Sequence, residues 1–300
     1  MIFRVPPITV CDRVEPTGGL FSMCEPAAVR DRLRPSRVVS AQAMLPSVCT
    51  VIGLVRPDRI LLAANRDERI DRAWDPQGAW WPGRPGVIGG SDRTAGGTWM
   101  AINRDGVVAT VLNRRGTLGP AVGNRSRGEL PLLALEQATA REAADTLTEV
   151  GATLWRGFNM VLADRTEAWS VKGIDYDQPQ THRLPPGVSM ITAYDPNALD
   201  SPRAAYHLPH FQAAELSWDV WHALLSDRSG GRGEPLMIVP RGGFGTVCSS
   251  FVTLPAAGRP IWLCLGGLPH TMRFVPSRWR SDRTFCDTDG AAIPACLEIL

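Results

Sequence analysis

The chain has little that would place it in a membrane or on nucleic acid. No apolar run approaches the ~20 residues that a membrane-spanning helix needs, and the net charge is only +2 over 300 residues. Lys172 is the only lysine, and the arginines are scattered along the chain rather than massed in one segment. We therefore expect no membrane span and no nucleic-acid partner.

Several common nucleotide-binding and catalytic motifs are also missing. The glycine-rich segment Gly89–Gly97 lacks the Gly-Lys-Ser/Thr of a phosphate-binding loop, so it is interpreted as a surface loop. The sequence contains no G-x-S-x-G and no H-E-x-x-H motif. His207 and His210 lie three residues apart on a predicted helix, and lone histidines of this kind are more often surface or core residues than ligands. The sequence thus predicts no cofactor and no metal.

The cysteines give no sign of a zinc site or of a C-x-x-C redox motif. Their number is odd, and no two of them have C-x-x-C spacing. A reduced, cytoplasmic environment fits this usage best. The seven are Cys11, Cys24, Cys49, Cys248, Cys264, Cys286 and Cys296.

The chain changes character near residue 48. Residues 1–48 carry six prolines and six arginines and lack the continuous apolar stretch of a signal peptide. Three explanations stay open: a disordered leader, upstream DNA translated from a mistaken start, and a targeting peptide. Val48 can be encoded by GTG, a common bacterial start codon, so we expect the mature protein to begin at Cys49.

The remainder predicts an α+β domain over residues 49–275, followed by a weak tail over 276–300. Hairpins come first, then a helix from Ser126 to about Val150, then further strands. This order is typical of antiparallel sheets with helices layered over them. Trp80 and Trp81 lie in a Pro/Gly-rich loop and are expected to wall a pocket entrance.

The first predicted hairpin places a thiol beside a guanidinium. If Val55 pairs with Ile60, then Cys49 lies opposite Arg66, and opposite residues share a face of the sheet. A nearby cation lowers the pKa of a thiol and favours the thiolate. If Cys49 were the N-terminus, its own α-amine, with an unperturbed pKa of about 7.7–8, would be the general base.

A series of short motifs carries a family resemblance. Asn65-Arg66-Asp67-Glu68 follows an apolar strand, and a Cys-Thr pair opens the strand before that one. Downstream motifs appear in a matching order, and the resemblance runs from Cys49 to about residue 275. They are Gly96-Gly97-Thr98-Trp99, Leu112-Asn113, Ser126-Arg127-Gly128-Glu129-Leu130, Gly157-Phe158-Asn159, Asp200-Ser201-Pro202-Arg203 and Gly245-Thr246-Val247. The sequence resembles the NRDE family, which includes the transport and Golgi organisation protein 2 homologues.

This family is similar to the N-terminal-nucleophile hydrolases of the choloylglycine hydrolase and penicillin V acylase group. The resemblance implies a four-layer αββα sandwich of two antiparallel sheets between helices. It also implies Cys49 as the nucleophile and Arg66 as the group that steadies its thiolate. Asp67 or Glu68 would hold the α-amine, and Asn113 would donate to the oxyanion, a contribution of about 2.7–4 kcal/mol where measured.

The sequence departs from the family pattern at two strands. Many relatives carry an asparagine where Ile191-Thr192 is followed here by Ala193, and Asn197 is the nearest amide. Some relatives have Gly-Thr-Arg where this chain has Gly245-Thr246-Val247. A late oxyanion donor and a substrate-binding arginine are therefore missing from their family positions.

Two functional classes follow. The first is an amidohydrolase that acts through Cys49 on a small amide or acylated amine. The second is a non-catalytic binding or trafficking protein on the same fold, which the resemblance implies would handle haem or lipid. Either class takes a small amide or a hydrophobic molecule as its ligand, and the sequence leaves the oligomeric state open.

Overall fold

The computed structural model describes residues 49–117, 119, 121–174, 178–230, 234–266 and 296–298. The expected leader at residues 1–48 and most of the expected tail at 276–300 lie outside this part of the chain. Within it, no helix is long and apolar enough to cross a membrane.

The described strands are arranged in two antiparallel sheets. Their bounds, in chain order, are β1 Thr50–Arg56, β2 Arg59–Arg69, β3 Trp74–Gly78, β4 Ile88–Asp92, β5 Met100–Ile102, β6 Val108–Asn113, β7 Phe158–Ala163, β8 Ala168–Gly173, β9 Gln180–Arg183, β10 Gly187–Ile191, β11 Phe244–Pro255, β12 Ile261–Gly266 and β13 Cys296–Glu298. The first sheet has the order β10-β1-β2-β11-β12-β13, and the second runs β3-β4-β5-β6-β7-β8-β9. The last strand, β13, lies within the segment expected to be a tail.

Helices cover the outer faces of both sheets. Their bounds are α1 Glu129–Ala134, α2 Ala140–Glu149, α3 Pro202–Ala213 and α4 Trp218–Leu225. One apolar cluster joins the inner faces of the two sheets, with Leu62 and Val252 from the first and Val108 and Val161 from the second. A second cluster packs α1 and α2 against the seven-stranded sheet, and a third packs α3 and α4 against the six-stranded sheet. The α+β, four-layer αββα sandwich implied by the sequence is therefore confirmed.

The hairpin of β1 and β2 has the register that the sequence predicts. Val55 pairs with Ile60 and Thr50 pairs with Asn65 across a two-residue turn. Strand β2 does not end with its apolar residues but continues through the whole tetrad to Arg69. The tetrad is thus part of a central strand, with β1 on one side and β11 on the other.

The glycine-rich segment, expected to be a surface loop, contains strand β4 instead. Gly89 and Gly90 are buried in this strand, which pairs with β3 and β5. A Cβ atom on Gly90 would lie 2.2 Å from the ring of Trp99. Only glycine fits at this position, because the indole of Trp99 packs directly on the strand backbone. The β propensity of the sequence does not reveal such a strand.

The single helix expected from Ser126 to Val150 is two helices. The cap of α1 is Gly128, without a side-chain hydrogen bond, so Ser126 does not form a capping box with Glu129. The capping box is found at α2, where Thr139 and Glu142 each bond the other's backbone N–H. A second N-terminal signal within one apolar run therefore marks the break between the helices.

The inter-sheet cluster should dominate the stability of the domain. Leu62 is fully buried in β2, whereas Leu199 is 73% exposed. We expect Leu62→Ala to lower the free energy of unfolding by about 2–5 kcal/mol, because it leaves a cavity between the sheets. The same substitution at Leu199 should change it by less than about 0.5 kcal/mol. Urea unfolding of both variants measures this, and similar losses at the two positions would contradict the assignment of the core.

Candidate active site

Cys49 immediately precedes β1 and lies in line with residues of β2 and β11. The register of Thr50 with Asn65 continues to place Cys49 opposite Arg66. Arg66 is in turn the Cα partner of Cys248 on β11, just after a β-bulge at Val247. Because opposite residues share a face, the two thiols flank one guanidinium on the side that faces the seven-stranded sheet.

These residues line a narrow pocket between the sheets. Its cavity volume is about 20 Å³, which is room for roughly one water molecule. The aromatic wall is Trp99, and neither Trp80 nor Trp81 lines the pocket, contrary to expectation. Their indole N–H groups bond the carbonyl oxygens of Pro76 and Gly96 instead.

Arg66 is buried and carries an unused donor. Its guanidinium carbon lies 4.1 Å from the centroid of the Trp99 ring, and its Nη2 lies 3.8 Å from Glu68 Oε2. The side chain is 6% exposed, and Nη1 has no hydrogen-bond partner within the described part of the chain. Burial lowers the pKa of Arg66. A buried cation with a free donor favours an anion or a polar oxygen beside it.

The thiol of Cys49 is not activated in the full chain. Burial is the largest effect and raises the pKa of Cys49 to about 12, with help from the charges of Asp67 and Glu68. Arg66 lowers that pKa, as the hairpin predicted, but by less than burial raises it. Sγ contacts the backbone carbonyl oxygen of Asp67 at 3.6 Å. The thiolate expected from the hairpin alone is therefore not favoured, because the cation is outweighed by the other effects on this thiol.

The carboxylate of Asp67 lies on the opposite face of β2, toward the helices. It accepts a hydrogen bond from Thr246 Oγ1 at 2.6 Å and one from Arg203 Nη1 at 3.3 Å. Arg203 also donates to Thr50 Oγ1 at 2.9 Å, so this ion pair holds the residue that follows Cys49. Burial raises the pKa of Asp67 to about 6, and Arg203 and Thr246 oppose that shift.

Arg203 and Thr246 are site residues that the sequence reasoning missed. Both lie in motifs that carried the resemblance, Asp200–Arg203 and Gly245–Val247, but no chemistry was attached to them. The Arg203 and Asp67 side chains are 2% and 0% exposed. A buried charge pair of this kind depends on contacts between residues 136 positions apart, which no local pattern predicts.

The other two tetrad residues have different surroundings. Asn65 donates to the carbonyl oxygens of Leu225 and Leu236 and accepts from Ser249, so it fixes the end of α4 against β2. Glu68 is half-buried on the face of Arg66 and lies 3.6 Å from Arg72 Nε. Of the two expected partners for the α-amine, Asp67 is thus committed to Arg203 and Thr246, and Glu68 is near Arg66.

The strand register does not bring Asn113 to the thiol. Asn113 alternates with Leu112, which faces the inter-sheet cluster, and shares its face with Ala109, which faces α1 and α2. By the register of β1 with β10, the residue opposite Cys49 is Ala193. Asn197 bonds the backbone of Met190 and the hydroxyl of Ser189, so it serves the end of β10 and does not replace the missing amide.

The described residues do not fit a haem at this pocket. Within the described chain, the residues that line the pocket include no histidine. His207 Nε2 bonds the carbonyl oxygen of Glu234, and His210 Nδ1 bonds that of Tyr206. In the same part of the chain, no three His, Cys, Asp or Glu side chains are grouped as metal ligands.

Comparison with protein families identifies the group to which these features belong. The family described as TANGO2, Transport and Golgi organisation 2, matches residues 53–212. The chain belongs to this family. The match includes the tetrad at residues 65–68 and Arg203, so the buried pair of Asp67 and Arg203 lies inside the region that defines the family.

The fold also resembles that of solved structures. An N-acylethanolamine-hydrolyzing acid amidase ortholog from Caenorhabditis elegans is similar with a TM-score of 0.50 and 13% identity, over 70% of this chain and 93% of that chain. Two variants of conjugated bile acid hydrolase from Clostridium perfringens have TM-scores of 0.43 and 0.44 at 10% and 11% identity, over 73% of this chain and 89% of each. A search of curated proteins finds no match. At these identities the likeness concerns the fold alone.

Removal of Arg203 from its buried pair with Asp67 should lower the free energy of unfolding by an amount that depends on pH. Arg203→Gln leaves the Asp67 carboxylate buried without its cation, which costs about 3–5 kcal/mol of stability when the carboxylate is ionised. The pKa of Asp67 is already raised to about 6, and loss of Arg203 raises it further. At pH 5 the folded variant can therefore protonate Asp67, so the loss should be smaller at pH 5 than at pH 8.

Urea unfolding at the two pH values tests this. Arg141→Gln is the matched control, because Arg141 pairs with Asp145 at the surface, with side chains 59% and 60% exposed. That control should lose less than about 1 kcal/mol at both pH values. An equal cost of Arg203→Gln at pH 5 and pH 8 would show that Asp67 does not carry the effect.

Proposed function

We propose that this protein is an N-terminal-cysteine amidohydrolase that acts on a small amide or acylated amine once Cys49 is the first residue. The observation that carries the proposal is the position of Cys49 beside the buried Arg66, whose Nη1 has no partner among the described residues. A cation with a free donor next to a thiol is suited to a thiolate or to the oxygen of a bound acyl group.

The surroundings of the thiol support the need for maturation. Sγ contacts a backbone carbonyl oxygen, which cannot take a proton from it, and the pKa of the thiol is raised to about 12. A nucleophile in such a setting needs a general base within hydrogen-bond reach. An α-amine on Cys49 itself would be that base. It exists only if the bond after Val48 is cleaved, or if translation begins at codon 48 and the initiator methionine is removed.

The reaction then follows from the groups in place. The α-amine takes the thiol proton, and the thiolate attacks the carbonyl carbon of the amide. The C–N bond breaks as the proton passes to the leaving amine, which leaves an acyl group on Cys49 as a thioester. Water, deprotonated by the same amine, attacks the thioester, releases the acid and restores the thiol. In this proposal Arg66 stabilises the negative charge in both steps.

Trapping of the acyl-enzyme tests the proposal. A chain that begins at Cys49 should gain the mass of the acyl group on Cys49 when it is mixed with a panel of acylated amines of short and long chain length. The full chain should not, because its Cys49 has no α-amine. Cys49→Ala should abolish turnover, and Arg66→Gln should slow acylation by about a hundredfold.

The surface variant Arg141→Gln controls for a change of one charge and should keep its rate. Equal acylation of the full and shortened chains would contradict the role of the amine. Absence of any acyl-enzyme from a folded chain that begins at Cys49 would favour the binding protein instead. Mass spectrometry of protein from the native gene checks the maturation step, which an intact peptide across Ser47-Val48-Cys49 would contradict.

A further inference from the structure

Two buried cysteines on neighbouring strands touch each other at the far side of Arg66. Cys248 Sγ and Cys264 Sγ are 3.2 Å apart, and both are free thiols. Cys264 pairs with Ser250, two residues along β11 from Cys248, so the thiols lie on one sheet face. We propose that Cys248 and Cys264 are a redox-active pair, oxidised to a cross-strand disulfide by a small peroxide that enters through the Cys49 pocket.

The geometry allows a bond to form with little movement. A disulfide has its sulfur atoms about 2.05 Å apart, so closure from 3.2 Å needs a shift of roughly 1.2 Å. The side chains already point at each other from adjacent, hydrogen-bonded strands. Rotation of the two side chains can supply part of this approach.

Cys248 is the thiol that an oxidant inside the pocket reaches first. It lines the pocket with Cys49, whereas Cys264 is not among the lining residues. It is also the Cα partner of Arg66, which places a cation beside it. The neighbouring thiol of Cys264 lowers the pKa of Cys248, and Arg66 acts in the same direction, whereas the pKa of Cys264 is raised. Thiolate character thus belongs to Cys248, the member of the pair that lines the pocket.

The oxidation balances with one peroxide. The Cys248 thiolate attacks one oxygen of hydrogen peroxide, the O–O bond breaks, and the products are a sulfenic acid on Cys248 and hydroxide. Hydroxide takes up the proton that Cys248 released and becomes water. The Cys264 sulfur then attacks the Cys248 sulfur, the S–O bond breaks, and the second water leaves with the Cys264 proton. Two thiols and one peroxide give one disulfide and two waters.

The size of the pocket selects the oxidant. Its cavity volume is about 20 Å³, close to that of one water molecule. Hydrogen peroxide is only slightly larger than water, whereas glutathione disulfide is far too large to reach either sulfur. Peroxide should therefore oxidise the pair in the folded chain, and glutathione disulfide should not. This inference does not depend on hydrolase activity.

Peptide mapping of the full chain tests it. Folded protein is treated with one equivalent of hydrogen peroxide, blocked with an alkylating agent and digested without reductant. Chymotrypsin is the suitable protease, because Phe251 and Trp262 lie between the two cysteines. The sole tryptic position between them, Arg259, precedes Pro260. We expect a linked pair of peptides that has lost two hydrogens and that dithiothreitol separates.

A second oxidant and a cysteine variant test the two parts of the proposal separately. Glutathione disulfide at the same concentration should link the pair at least about tenfold more slowly than peroxide, because access limits it. In Cys264→Ser, peroxide should leave a sulfenic acid on Cys248 that dimedone traps. If that variant does not fold, the wild-type digest still decides the question. Alkylation of both cysteines after peroxide treatment would overturn the proposal, and equal rates with the two oxidants would overturn the route through the pocket.

Discussion

The alternation of side chains along β2 is the constraint on which the site depends. Because successive residues of a strand face opposite sides, the tetrad divides into two pairs. Arg66 and Glu68 share the face of β2 that carries Cys49, whereas the side chains of Asn65 and Asp67 bond toward the helices. A shift of one residue in the pairing of β2 would exchange these roles and put the guanidinium on the wrong side of the sheet.

Each face of β2 holds one buried charged side chain, and the two side chains differ in their hydrogen-bond partners. Asp67 has Arg203 and Thr246 as partners, so its carboxylate is fixed and the residue after Cys49 is fixed with it. Arg66 has a ring beneath it and a carboxylate at 3.8 Å, but one donor without a partner in the described chain. The bonds of Asp67 hold β1, β2 and α3 together. The Nη1 of Arg66, unpaired in that part of the chain, can by contrast bind a ligand or a thiolate.

The sequence predicted the parts of this arrangement that depend on local patterns. The first hairpin, its register and the proximity of Cys49 to Arg66 followed from apolar strands around a tight turn, and the layered fold followed from the resemblance. Strand β4 was missed because its glycines are selected by packing against Trp99 and not by β propensity. Arg203 and Thr246 were missed because they reach Asp67 from 136 and 179 residues away. The pKa of Cys49 was expected to fall because a sequence shows the nearby cation but not the burial.

The pH dependence of Cys49 alkylation in the full chain and in the chain that begins at Cys49 tests the central claim most directly. In the full chain the pKa of the thiol is raised to about 12, so the rate should rise about tenfold per pH unit, without a plateau, between about pH 6 and 10. In the shortened chain the α-amine should take the proton, and the rate should level off near its own pKa of about 8. Identical profiles for the two chains would contradict the account.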